Sequence, residues 1–247
     1  MRIDVKAEDF YDAIVDLGET IEFLPKAVPD TMPEGINEGS LIQHASIAPN
    51  RANKAVATTE GAYLFTGNIT FDNMKQQERF VGRYFIRQAQ PSVKNILTSV
   101  FPENSTPRVG TVQVTECNET VDVISHYEAT GEYDEYGSEI VAPVYLHRNI
   151  DAFVTSLTKT VKEEEVGALD KTLTYMTVPA EYTISAKNIV MKPSFTFNEI
   201  TKRNEYVKTP YKVDSIDTSM MDVVDGEIVG TVKCLLLEAQ ENDLLKI

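Results

Sequence analysis

Short stretches in which apolar and polar residues alternate recur along this chain, most densely after Pro107. Tyr63, Phe65, Ile69 and Phe71 share one face of a predicted strand over Tyr63–Phe71, and Asp72-Asn73 opens a turn behind it. Thr20–Leu24 alternates in the same way, with Ile21 and Phe23 on one side and Pro25 as its stop. Further strands are predicted at Val109–Thr115, Thr120–His126, Ile140–Leu146, Thr172–Val178, Tyr182–Met191, Tyr211–Ile216 and Ile228–Leu237. Asn118, Gly131, Gly137, Pro179, Pro193 and Asp225-Gly226 supply turn chemistry between them.

Helical spacing appears in three places. Phe10, Ile14 and Leu17 recur with a helical period over Val5–Leu17, and Gly18 follows as a stop. Ser92–Phe101 places Val93, Ile96, Leu97 and Val100 on one helical face between Pro91 and Pro102. Lys159–Gly167 extends a short helix begun near Asn149. Arg79–Gln88 fits either period, and Gly82 tips it towards strand. Residues 25–61, punctuated by Pro25, Pro29, Pro33 and Pro49, read as a long extended arm or loop. The fold expected is mainly β (α+β): an antiparallel β-barrel or sandwich with a few short helices and the arm. Residues 1–110 form a helix, arm and strand region, and residues 111–247 a barrel-like region.

The 247 residues suffice for a substantial core, and 42% apolar with 25% charged residues is a globular mixture. The 38 acidic against 23 basic side chains leave a net charge of −15. That argues against a dominant nucleic-acid surface, which needs a basic footprint, and suits docking onto a basic partner. No basic start is followed by an apolar stretch and no run is long enough to cross a bilayer, so neither a signal peptide nor a membrane span is expected. Cys117 and Cys234 lie in apolar, strand-like runs and read as buried thiols; a disulfide between them would need an oxidising compartment. The sequons at Asn68, Asn104 and Asn118 read as chance matches in a Thr-rich chain.

No catalytic signature emerges. The chain has no phosphate-binding loop, dinucleotide turn, nucleophile elbow or Cys-x-x-Cys pattern. His44, His126 and His147 have no second His or Cys at ligand spacing. The acid-rich segments Asp134–Glu139 and Asp222–Glu227 each surround a glycine without the spacing of a calcium loop, and read as polar hairpin turns. The expectation is a protein without enzymatic activity, cofactor or metal.

One segment departs from the acidity. Lys75, Arg79, Arg83, Arg87, Lys94 and Arg108 face only Glu78 and Glu103 over residues 75–108. Arg79, Arg83 and Arg87 recur every fourth residue, a spacing that shares one side of either a helix or a strand. Arg79, Arg83, Arg87, Lys94 and Arg108 are therefore candidates for contact with an acidic neighbouring subunit, or with DNA phosphates. The bland alternative is a solvated face paired within the fold.

The stretch HYEATGEYDEYGSEIVAPVYLHRNI (His126–Ile150), with its Asp134-Glu135-Tyr136-Gly137 turn, resembles tailed-bacteriophage neck proteins of the head-closure or head–tail connector type. TYMTVPAEYTISAKNIVM, TPYKVDSIDTS and EIVGTVKCLLL are similar to that family's closing strands, and LGETIEFLP to its start. The likeness covers about half the chain, mainly residues 120–237, and residues 25–110 would be an added region. It implies a structural virion protein, assembled in the host cytoplasm into a ring of identical subunits between portal and tail. Its partners would be copies of itself, portal or adaptor and tail proteins, and DNA passing through the channel without specific binding. No membrane is implied. A tail terminator or baseplate component, a ligand-binding β-barrel or sandwich, and an enzyme with an unrecognised acid pair are the competing readings.

Overall fold

A computed structural model describes residues 18–24, 44–49, 56–57, 63–70, 80–102, 109–163, 167–198, 202–224 and 226–239, together with Asp12, Asp16 and Ile200. Asp12 and Asp16 are helical, and the rest of the helix expected over Val5–Leu17 lies outside the described residues. So do residues 25–43, 50–55 and 58–61 of the expected arm and the turn at Asp72-Asn73. The chain is otherwise almost wholly antiparallel β, in two seven-stranded sheets. Among the described residues no helix is long and apolar enough to cross a membrane.

The first sheet holds β1 (Glu19–Phe23), β2 (His44–Pro49), β3 (Val56–Ala57), β4 (Tyr63–Thr70), β5 (Tyr84–Arg87), β6 (Gln90–Pro102) and β7 (Val109–Glu116). Its order is β2-β1-β5-β6-β7-β4, and β2 pairs again with β4, so six strands close on themselves; β3 takes the remaining edge of β4. The segment read as an irregular arm thus supplies two strands. Alternation explains the interior: Ile21 and Phe23 of β1 and Val112 and Val114 of β7 are buried, while Glu22 is exposed. Phe23 packs on Phe80 at 4.4 Å and on Phe85 at 5.7 Å between ring centroids.

The helix expected over Ser92–Phe101 is instead the middle of β6, and a bulge explains the misleading period. The register between β6 and β7 shifts between Leu97 and Ser99. The extra residue puts Leu97 and Val100, three apart, into the same core. That is helical spacing produced by a kinked strand.

The second sheet holds β8 (Glu119–Tyr133), β9 (Glu139–Glu163), β10 (Gly167–Pro179), β11 (Ile189–Asn198), β12 (Arg203–Asp217), β13 (Met221–Val224) and β14 (Glu227–Glu238). The order β10-β9-β8-β11-β12-β14 also closes, because β10 pairs with β14. The helix expected to run from near Asn149 through Lys159–Gly167 is strand where the residues are described: residues 149–163 belong to β9, and residues 159–163 pair with residues 167–171 of β10. Thr155, Thr158, Thr160 and Val161 are β-branched and suit the strand. Residues 182–188, expected to begin a strand, form turns, and β11 starts only at Ile189.

The chain forms two compact units that no single cut at residue 110 separates. The first comprises residues 1–117, 178–182 and 218–232; the second comprises 118–177, 183–217 and 233–247. The backbone passes between them at 117/118, 177/178, 182/183, 217/218 and 232/233. Within the first unit, the opening segment and the two returning ones meet at Gly230. Its N–H donates to Val81 O at 2.9 Å and its carbonyl accepts from Ala180 N–H at 2.9 Å, while the neighbouring Thr231 N–H reaches Met220 O at 3.2 Å. Such an approach leaves no space for a side chain: a Cβ on Gly230 would lie 1.9 Å from Met220 O, and one on Gly82 would lie 1.8 Å from Gly230 O.

Candidate functional site

In the second unit the strands run past the barrel as two-stranded ribbons. β11 pairs with β8 at Met191↔Asp122 through Ile189↔Ile124. Beyond Ile124 the ladder on β8 continues with β9 alone, from His126↔Val144 to Tyr133↔Glu139. Every residue from 128 to 142 is exposed, so this ribbon has solvent on both faces. Asp134 fastens its tip: one carboxylate oxygen accepts the Tyr136 and Ser138 N–H groups at 2.9 and 2.8 Å, and Gly137 takes φ 80°. Tyr133, Tyr136, Ile140 and Val141 stand out from it, Tyr136 at 85% exposure.

A second ribbon points the other way. β11 runs antiparallel to β8, so from Met191 it travels past Glu119 while the first ribbon travels away from it. Residues 192–198 pair with residues 203–209. The ladder between β12 and β14 starts only at Tyr211↔Glu238. Phe195 and Tyr206 meet edge to face at 5.9 Å yet remain exposed, with Ile200 93% exposed near the turn. At about 3.3 Å per residue, the two tips lie on the order of 60 Å apart along the sheet.

A polar cluster holds the roots of both ribbons. The Asp122 side chain is buried, pairs with Lys208 of β12, and accepts the Asn149 N–H at 2.9 Å. Asn149 has φ 55° and sits where the β8–β9 register shifts, between Val121↔Ile150 and Val123↔His147. Its left-handed conformation is accessible to asparagine, and the carboxylate fixes it there. Burial raises the Asp122 pKa, but Lys208, the Asn149 N–H and Arg148 together outweigh burial and hold it below the ordinary value. Arg148 stacks on the Tyr145 ring at 3.8 Å. Beside this cluster Lys192 reaches Glu119 at 3.1 Å; burial pushes the Glu119 carboxyl up against that attraction. Asn118 completes the edge: its side-chain amide exchanges two 2.8 Å bonds with the backbone of Val154, in the manner of a strand residue.

The residues singled out from sequence are placed differently. Arg83 is buried and donates to Leu24 O at 2.9 Å. Arg87 donates to Glu19 at 2.6 Å, and Lys94 lies 5.6 Å from the centroid of the Tyr84 ring. They do not form one exposed stripe, because Arg83 precedes β5 in a turn while Arg87 ends the strand. Arg79 and Arg108 lie outside the described residues. Asp134–Glu139 is a hairpin turn, and Asp222–Glu227 joins β13 to β14, with Asp225 outside the described residues. Among the described residues no three His, Cys, Asp or Glu side chains converge as a metal site. The first unit has a cavity of about 340 Å³ beside β13, lined by Val81, Thr98, Met220, Asp222 and Val229 among others. The ribbon of residues 192–209 was missed; the signal was the alternation of Phe195 and Phe197, answered by Tyr206.

Neither Cys117 nor Cys234 is in a disulfide; the first is partly exposed and the second buried. Burial pushes the Cys234 thiol up to about 12, which suppresses the reactive thiolate. One equivalent of thiol is expected to react with a disulfide reagent at pH 8 in the folded protein, and a second only in denaturant. Two fast equivalents without denaturant would contradict this burial.

These features define a double-barrelled antiparallel β protein with overhanging ribbons. In comparisons with known proteins, no family model, no curated protein and no solved structure matches the chain.

Proposed function

We propose that this chain is a structural protein of a tailed-phage neck, forming a ring of identical subunits between portal and tail. The observation that carries the reading is the ribbon at residues 128–142, solvated on both faces and bearing exposed aromatic and aliphatic side chains. A two-stranded hairpin is marginal in water by itself, and open strand edges and exposed apolar side chains are what assembly interfaces cover. The net charge of −15 supports a channel wall along which DNA slides by like-charge repulsion. The likeness of His126–Ile150 to neck proteins falls on the same ribbon.

A tail terminator or baseplate component is the second reading, since the same ribbons would serve either position. Mass photometry and negative-stain electron microscopy of the purified chain test the proposal. A closed ring of fixed copy number that binds portal or tail proteins is expected. A chain that stays monomeric at tens of micromolar and binds neither would sink it. Labelling the protein in intact particles separates neck from baseplate.

A further inference from the structure

We infer that the two ribbons of the second unit are the two halves of one contact: the residue 126–145 ribbon of one copy lies against the residue 192–210 ribbon of the next. The inference rests on the self-assembly proposed above and names its interface. Three observations carry it.

The first is charge. Residues 126–145 contain Glu128, Glu132, Asp134, Glu135 and Glu139 and no lysine or arginine, a charge of −5. Residues 192–210 contain Lys192, Lys202, Arg203 and Lys208 against Glu199 and Glu205, which is 4 − 2 = +2. Lys192 and Lys208 are matched at the root by Glu119 and Asp122, which leaves Lys202 and Arg203 against Glu199 and Glu205, a tip of net charge 2 − 2 = 0 on which Lys202 and Arg203 stand exposed. An acidic ribbon set against its own copy would oppose five carboxylates to five. Set against the other ribbon, it meets a tip without net charge that presents Lys202 and Arg203, so five carboxylates face two cations and two acids instead of five more acids.

The second observation is direction. The ladder sends the two tips to opposite ends of one sheet. A contact joining opposite ends of identical subunits is head-to-tail, the geometry that closes a ring when the rotation per subunit divides a full turn. The third is the apolar content: Tyr133 and Tyr136 on one ribbon and Phe195 and Tyr206 on the other are all more than half exposed. Each ribbon offers aromatic area for the other to cover once charge has set the pairing.

Exchange of charge tests this on the full-length chain. Glu132→Lys with Glu135→Lys makes the first ribbon less acidic, and Lys202→Glu with Arg203→Glu makes the second acidic. All four side chains are exposed and Asp134, which holds the turn, is untouched, so circular dichroism should match the parent. Sedimentation velocity at about 0.1 M salt, where screening acts over about 10 Å, reads the assembly. Each double variant alone is expected to need at least about tenfold more protein to assemble, tenfold being a modest share of what close charge pairs contribute at interfaces. The two mixed in equal amounts, and the quadruple variant alone, are expected to recover assembly. An oligomer indifferent to all four changes, or a quadruple variant that stays dissociated, overturns this contact and leaves the ring reading standing. A parent chain that is monomeric removes both.

Discussion

Gly230→Ala is expected to cost the first unit its cooperative fold, a loss of about 4 kcal/mol or more, at the far end of what single substitutions do. Two effects act at this residue and their sizes differ. Its φ of 102° suits glycine, and a Cβ there costs about 1–2 kcal/mol in backbone strain. The larger effect is collision: the new Cβ would sit 1.9 Å from the Met220 carbonyl oxygen, a backbone atom that cannot rotate away. Movement of Met220 would disturb its bond from Thr231, and movement of Gly230 those to Val81 and Ala180. Gly226→Ala separates the two effects, because Gly226 has φ 86° and no atom lies within 4 Å of where its Cβ would stand. It should lose only the backbone part, about 1–2 kcal/mol. Urea unfolding of the two variants beside the parent decides the matter; a Gly230→Ala protein within about 1 kcal/mol of the parent, the size of an ordinary substitution, would refute the close approach.

In the second unit, Lys208→Met is expected to cost about 2–3 kcal/mol at pH 7. That lies below the usual range for breaking a buried pair, because Lys208 keeps 34% of its side chain in water. The penalty arises from Asp122, whose side chain is 8% exposed and would keep its charge without its lysine. Asp122 has a folded pKa below its ordinary 3.8, so its contribution is present above that value and lost as pH falls through the folded value. Lys208 has a folded pKa above 10.5, raised chiefly by its bond to Asp122; its contribution is present below 10.5 and lost as pH rises through the folded value. The pair therefore stabilises fully between about pH 4 and pH 10. The gap between parent and Lys208→Met should narrow as pH drops from 7 towards 3, because Asp122 without its lysine takes up a proton more readily than in the parent. Urea midpoints across that range measure it, and a gap that widens on acidification would contradict the assigned role of the pair.

Period-two alternation made the strands around Ile21, Phe65, Val112 and Val229 legible, since a strand with one face towards a core alternates in this way. It failed where a strand departs from that geometry. Leu97 and Val100 mimic a helix because a bulge intervenes. Residues 128–142 carry no burial pattern because neither of their faces is buried, so the strand beginning at Thr120 reads as ending at His126 when it runs on to Tyr133. The arginine spacing could not foretell that Arg83 turns inward to Leu24, a contact across 59 residues of chain. Asp122 gave no signal at all: one acid among many, it becomes important only when the barrel brings Lys208 beside it and the bulge presents the Asn149 N–H.

The five passages of the backbone between units have a consequence for synthesis. The first unit draws on residues 218–232, and the hydrogen bonds that join Val81, Ala180 and Gly230 unite segments from the beginning, the later middle and the end of translation. A ribosome that has made residues 1–117 has therefore made the closing strands of the first sheet but not the whole of the first unit. The segments that complete the unit arrive only with residues 178–182 and 218–232, and a fragment cut at residue 117 would carry six closing strands without them.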